Sequence, residues 1–329
     1  MKKMHIIGVD ISRNTIDFHC YGHSVTADPV ANNLKGFGQF QKWIRQRVSK
    51  TKEEVMIVME HTGIYTYNIE RFLHAKGWSY VKRPALDIKR SVGIQRGKSD
   101  RTDARMISKY GWMNKESLAP MEPVNDNRVN LQQLMSYREK LVTDRTAHQV
   151  RIKELQGQMG NKLCDQIRRS TQRMIKLLTI EIEKMEEAVK ACLAKEASLQ
   201  KNYELLITVS GIGFVTAVSL LITTENFTRF DNHRKFACYC GVAPFTHRSG
   251  TSIRGKTRIS QLANKPIKSL LTMSALSAVR NDTELKAKYE QKCKEGKAKM
   301  SVLNIIRAKL IERVFSVINR QTPYLKAAA

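Results

Sequence analysis

The run Val55-Met-Ile-Val-Met59 is the feature that most constrains the fold, because it is apolar throughout and stops on a carboxylate, Glu60. An apolar run of this length without alternation reads as a strand buried on both faces, which belongs in an α/β sheet. Residues 4–10, Met-His-Ile-Ile-Gly-Val-Asp, supply a second short buried strand that also ends on a carboxylate, Asp10. Residues 15–21 alternate after a polar turn at Ser12 to Asn14, which predicts an antiparallel hairpin with the first strand. A third strand is expected near Ser24 to Ala27. Phe37, Phe40, Trp43, Ile44 and Val48 recur at helical spacing, a second helix spans roughly Tyr65 to Ala75 before Gly77, and Trp78-Ser-Tyr-Val81 adds a strand.

This order is the layout of an RNase H or RuvC-like α/β domain, expected over residues 1–122. Asp10 and Glu60 end strands expected to lie side by side, so they converge at one edge of the sheet. The stretch Gly97 to Arg105 contributes Asp100 and Asp103, which share a face if it opens a helix, as the spacing of Ala104, Ile107 and Tyr110 predicts. Four carboxylates so placed suit Mg²⁺ or Mn²⁺, and two such ions roughly 4 Å apart can stabilise both oxygens of an in-line phosphoryl displacement. The plainer alternative has Asp100 capping a helix and Asp103 pairing with a neighbouring Arg. Asp17, one hairpin turn from Asp10, is a rival ligand, since a strand side chain can face either way. His61 and Tyr65 stand beside Glu60 either as participants or as packing residues.

Charge narrows the partners. The 329 residues carry 57 Lys and Arg against 30 Asp and Glu, a net +27 with a pI near 10.0, which points to nucleic acid held largely through its phosphates. From Arg83 to Lys109 eight Lys or Arg stand against three Asp, and Lys98, Arg101 and Arg105 are expected to contact a nucleic-acid backbone. No 18-residue apolar run exists, and the first residues lead into a strand, not a signal sequence, so a cytoplasmic, nucleoid-associated protein without a membrane partner is expected. The six cysteines form no C-x-x-C pair, and Cys238 and Cys240 with His233 and His247 match no common structural zinc pattern.

Pro120 and Pro123 mark a boundary. Residues 123–202 turn polar and helical. Leu131, Leu134, Leu141, Ile152, Leu155, Met159 and Leu163 form one broken stripe, and Met174, Leu178, Ile182, Met185, Val189 and Leu193 form a cleaner one. Gly157 and Gly160 are expected to interrupt the helix between them. The segment reads as a coiled-coil connector and oligomerisation element, pairing between protomers or folding back within one chain. Residues 203–329 form the third part, mainly α-helical. There Ser210-Gly-Ile-Gly213 lies between two apolar helices and resembles a helix-hairpin-helix turn, with Gly211 and Gly213 offering backbone N–H groups to phosphate; an ordinary core hairpin reads the same way. From Asn232 to Asn281 there are nine Lys or Arg and no acid. Within that window Ser249-Gly250, flanked by Arg248, Arg254, Lys256 and Arg258, reads either as a phosphate-binding turn or as a hydroxyl nucleophile among cations.

Gly8-Val-Asp10, Glu60-His-Thr-Gly63, Lys98 to Arg105, Ser210 to Gly213, Gly241-Val-Ala-Pro244 before Ser249-Gly250, and the helix from Lys309 to Phe315 occur in an order that resembles one family. It is that of the DEDD transposases of bacterial insertion sequences, the bridge-RNA-guided recombinases, relatives of the Piv-type DNA invertases. The resemblance implies a RuvC-like domain, a coiled-coil connector and a transposase domain carrying a serine. It implies Asp10, Glu60, Asp100 and Asp103 as a tetrad for Mg²⁺ or Mn²⁺ and Ser249 as the nucleophile. Ser252 competes for that role, because the segment after Gly250 departs from the family's glycine-rich, Lys/Arg-ended pattern. It further implies a phosphoserine intermediate, target and donor double-stranded DNA, a structured noncoding guide RNA, and dimers assembling to a tetramer in which the serine of one protomer meets the acids of another. Two other readings stand beside it: a metal-only RuvC-type nuclease or transposase in which Ser249 binds phosphate, and a noncatalytic nucleic-acid scaffold.

Overall fold

The computed structural model describes residues 4–23, 28–61, 63–92, 100–121, 125–155, 162–249, 253–259 and 262–325. The chain divides into two compact units, Met1–Asn125 and Asp126–Ala329.

The first unit is a five-stranded sheet between two layers of helices. In chain order it comprises β1 (His5–Ile11), β2 (Thr15–Cys20), β3 (Val30–Ala31), α1 (Leu34–Arg47), β4 (Val55–Glu60), α2 (Tyr67–Ala75), β5 (Ser79–Arg83), α3 (Ala85–Val92) and α4 (Asp100–Met113). The sheet order is β3-β2-β1-β4-β5; β1–β2 and β2–β3 are antiparallel, and β1–β4 and β4–β5 are parallel. The third described strand is the two residues Val30–Ala31; the expected segment 24–27 lies outside the described residues. Alternation sorts the sheet's side chains. Ile7, Val9, Ile57 and Met59 pack with Phe37, Phe40, Ile44, Ile69 and Leu73 of α1 and α2, while Ile6, Met56 and Val58 pack with Ile88 and Ile107 of α3 and α4. Gly77, at φ +67°, ends α2 in the left-handed region that glycine adopts without strain.

The second unit is mostly helical: α5 (Asp126–Leu155), α6 (Lys162–Ala194), α7 (Ala197–Ile207), α8 (Phe214–Thr223), α9 (His233–Tyr239), a two-stranded ribbon of β6 (Phe245–Ser249) and β7 (Ile253–Arg258), then α10 (Lys265–Asn281), α11 (Thr283–Lys294) and α12 (Lys299–Arg320). α5 and α6 pair within the chain and run antiparallel. Asn127 Nδ2 donates to the Cys192 carbonyl (2.9 Å), Arg138 Nε to Glu186 Oε1 (2.8 Å) and Arg145 Nη1 to Thr179 Oγ1 (3.4 Å), so partners descend along α6 as they ascend along α5. Gly157 and Gly160, expected to break the helix, lie outside the described residues. Ile182, Val189 and Leu193 of the predicted stripe are buried, whereas Met174 is exposed. The base of this hairpin enters one apolar core with the later helices, Leu131, Val189 and Leu193 joining Leu206, Leu220, Leu271, Ile306 and Leu310. No described helix is long and apolar enough to cross a membrane.

Candidate metal centre and nucleic-acid interface

The predicted acids reach one edge through strand register and one close helix approach. β1 and β4 run side by side with Val9 level with Met59, so Asp10 and Glu60 are the next residues on adjacent parallel strands. Both are half-buried. By alternation they belong to the face covered by α4, and Gly8 is what lets that helix come close. A Cβ at Gly8 would overlap the Ser108 amide nitrogen and the Ala104 carbonyl oxygen, so the helix backbone rests directly on the strand. One turn further on, a Cβ at Gly111 would lie 2.6 Å from Ile6 Cγ2 and 2.7 Å from Val58 Cγ2. Going from Gly111 back to Ala104 therefore follows β1 from Ile6 to Gly8: helix and strand are antiparallel, and the N-terminus of α4 points to the Asp10 end. About 7 Å of strand separates Gly8 from Asp10, and about 6 Å of helix separates Ala104 from Asp100. Asp100 opens α4 and Asp103, half-buried, sits one residue before the close contact.

Asp17 is the residue directly across from Asp10 in the antiparallel register and is only 6% exposed. It shares the face of Asp10, which makes it a fifth carboxylate at this edge. Next along β2, His19 lies across from Gly8, and its Nδ1 is 2.8 Å from the Ser108 hydroxyl, which donates to the Arg105 carbonyl (2.8 Å). Burial, then the nearby charges of Arg105 and His23, lower the His19 imidazole below its ordinary value. The sequence marks Asp17 only as a rival ligand and does not single out His19, although the two-residue period of the hairpin carries the signal once its register is known.

The donors at this edge are hard carboxylate oxygens, a set that fits Mg²⁺ or Mn²⁺. Strand register and the approach of α4 bring the elements that carry them to one edge of the sheet. Among the described residues, the group of ligand atoms lying within 4.8 Å of one another is a different one, His5, Cys20 and His23, near the start of β1 and the end of β2, and burial pushes the Cys20 thiol up to about 11. Of the cations expected to meet a backbone, Arg101 forms an exposed pair with Asp28 (3.2 Å), and Arg105 is exposed; Lys98 lies outside the described residues. His61 is exposed and its Nδ1 accepts from the Gly63 amide (3.3 Å), while the Tyr65 carbonyl accepts from Asn32 Nδ2 (3.2 Å).

In the second unit Ser249 is the last residue of β6, level with Ile253, and the register sets Arg248 across from Arg254. Lys256 and Arg258 come next on β7. Ser252 lies outside the described residues. The glycine turn does join two helices, α7 and α8. Gly211 has φ +90° and a Cβ there would sit 2.8 Å from the Ala278 Cβ, so packing against α10 alone demands glycine; Gly213 caps α8 and faces open space.

Two family models match this architecture in turn, the DEDD-type IS110 transposase over residues 7–159 and the transposase IS116/IS110/IS902 family over residues 203–290. The chain belongs to this transposase family. Among its relatives, the pilin gene-inverting protein of Moraxella bovis is 26% identical over 335 residues, covering 97% of both chains. The corresponding protein of Moraxella lacunata has the same identity and coverage. The transposase for insertion sequence element IS1111A of Coxiella burnetii is 21% identical over 255 residues, 70% of this chain and 69% of its own. The first family match contains Asp10, Glu60, Asp100 and Asp103; the second contains Gly211, Gly213, Ser249 and Arg248 through Arg258.

Proposed function

We propose that the protein is an RNA-guided DNA recombinase of an insertion sequence, breaking and rejoining DNA through a phosphoserine at Ser249 with help from divalent ions held by Asp10, Glu60, Asp100 and Asp103. The observation that carries this is the edge itself: two strand-end carboxylates at equal register, and a helix laid antiparallel over Gly8 that brings two more toward them. The sheet order, with two antiparallel pairings and two parallel ones, is that of an RNase H-type domain, which supports the same chemistry.

The Ser249 oxygen attacks the phosphorus of one phosphodiester and loses its proton; the bond to the 3′ oxygen breaks, and that oxygen leaves as a 3′ hydroxyl. The phosphoserine retains the diester energy, so a 3′ hydroxyl from the exchanged strand reverses the step with no nucleotide cofactor. Bound Mg²⁺ or Mn²⁺ supplies Lewis-acid stabilisation of the attacking and leaving oxygens. Arg248, Arg254, Lys256 and Arg258 neutralise the phosphate. Asp10 and Glu60 belong to one unit and Ser249 to the other, and the reaction joins the serine of one protomer to the acids of a second, with the α5–α6 hairpin as connector and oligomerisation element. A structured noncoding RNA selects target and donor DNA by base pairing.

The test is incubation of the protein, RNA transcribed from the flanking noncoding DNA, and end-labelled donor and target duplexes with Mg²⁺. A covalent protein–DNA adduct mapping to Ser249 is expected, absent in Ser249→Ala and reduced about 10²-fold or more in Asp103→Ala. Mapping to Ser252 moves the nucleophile by three residues. Strand joining by Ser249→Ala would sink the serine mechanism in favour of metal-only chemistry, and full exchange by Asp10→Ala and Asp103→Ala would leave only the scaffold reading.

A further inference from the structure

Helix α12 carries two buried arginines with opposite surroundings. Arg313 is compensated: its Nη1 meets Asp282 Oδ2 at 2.8 Å and its Nη2 meets Glu284 Oε2 at 2.5 Å. Arg307, two turns earlier and only 4% exposed, has no carboxylate partner among the described residues. Its Nη1 donates to Asn304 Oδ1 (3.1 Å), and its Nε makes no hydrogen bond. A buried guanidinium without a counter-charge costs several kcal/mol unless something else neutralises it. Its charged neighbour worsens the deficit. Burial, and then the Arg307 charge, lower the Lys268 ammonium below its ordinary value, and burial does the same to Arg307.

Both residues line a cleft of about 1180 Å³ in the second unit, shared with Arg234, Lys288, Lys297 and Lys309. The single acid among the described residues of its wall, Glu312, pairs with Lys309 at 3.2 Å. From Asn232 to Asn281 the sequence contains no acid at all, so nothing in that part of the chain can supply the missing charge.

We propose that Lys268 and Arg307 form a phosphate-binding site for a nucleic-acid backbone. This rests on the reading that the protein handles nucleic acid, and it adds a site distant in sequence from the Ser249 ribbon. The ligand class is a phosphodiester, whose oxygens accept from Arg307 Nε and from the Lys268 ammonium, replacing two opposed cations by an ion triplet. The site is tied to the ribbon. Arg307 holds Asn304, Asn304 Nδ2 donates to the Val242 carbonyl (2.7 Å), and Pro244, also in the cleft wall, directly precedes β6. A phosphate gripped here is therefore fixed relative to the strand that ends on Ser249.

The experiment uses the full-length protein, fluorescence anisotropy with a labelled DNA duplex and separately with a labelled RNA stem-loop, and a NaCl series. Arg307→Met and Lys268→Met are each expected to reduce the slope of log affinity against log salt by about one, and affinity about tenfold, on whichever polymer occupies the cleft. A change with DNA alone or with RNA alone assigns the source. Melting without nucleic acid provides the fold control. Arg307→Met should keep or raise Tm, because it removes an uncompensated charge, whereas Arg313→Met on the same helix should lower it. Unchanged slopes on both polymers overturn the site, as does a Tm loss in Arg307→Met as large as that in Arg313→Met. If the wild type bound neither polymer, the functional reading would fall and inorganic phosphate would decide the site. At constant ionic strength it should raise the wild-type Tm but not that of the two variants; no rise in the wild type overturns the proposal.

Discussion

At the scale of single residues, His19 links the second strand to the helix above it. It is held neutral between β2 and α4, against the Ser108 hydroxyl, with Arg105 nearby. Its value in the folded state lies below the ordinary 6.5, so as pH falls through 6.5 the unfolded chain takes up a proton that the folded chain refuses. The stability His19 contributes is thus complete above that pH and is lost progressively below it, down to the folded-state value. Urea midpoints followed from about pH 7.5 to about pH 5 should fall for the wild type, and the fall should be shallower in His19→Gln. An identical pH profile for the variant would contradict this account. Legibility differs among neighbours here: Asp10 was readable as the end of a strand, but the face of Asp17 depended on a register set by where the hairpin turns, and a one-residue slip would have reversed it.

Between elements, the decisive contact is α4 on β1. Gly8 has no side chain because the helix backbone occupies that space, and Gly111 repeats the device against Ile6 and Val58. Gly8→Ala has no flexible side chain to push aside, only backbone, so it is expected to cost about 3 kcal/mol or more in urea unfolding. Where the variant still folds, strand exchange should fall much further than the population of folded protein, because the lifted helix carries Asp100 and Asp103 away from Asp10 and Glu60. Comparing activity per folded molecule checks this. Periodicity makes β1, β2, α1, β4, α2, β5 and the start of α4 legible, but α3 has no counterpart in the sequence reading, and the two residues of the third strand carry too little pattern to locate. The pairing of α5 with α6 was left open by sequence because an apolar stripe seeks a partner without specifying whose; three antiparallel side-chain contacts decided it.

For the molecule as a whole, the net charge of +27 sets the manner of binding. If six to ten phosphates are contacted, affinity for duplex DNA or structured RNA should fall roughly 10³- to 10⁵-fold between about 50 and about 200 mM salt. Anisotropy titrations across that range check it, and a nearly salt-independent affinity would contradict a backbone-dominated interface. The chain divides into compact units between Asn125 and Asp126, and the base of the α5–α6 hairpin shares its core with the later helices of the second unit.

The sequence by itself determined the α/β character of the first 125 residues, the positions of Asp10 and Glu60 at or next to the ends of β1 and β4, the helical opening at Asp100, and a charge suited to a polyanion. These come from local periodicity, from element ends and from total charge, none of which needs a neighbour from elsewhere in the chain. Only the tertiary structure decided that α4 lies antiparallel on Gly8, that Asp17 joins the acid face, and that Arg307 is buried with no carboxylate partner among the described residues while Arg313 has two. Each of those depends on which residues meet across the fold, and a lysine or arginine in a helix reads the same in sequence whether its counter-charge is supplied by the protein or by its ligand.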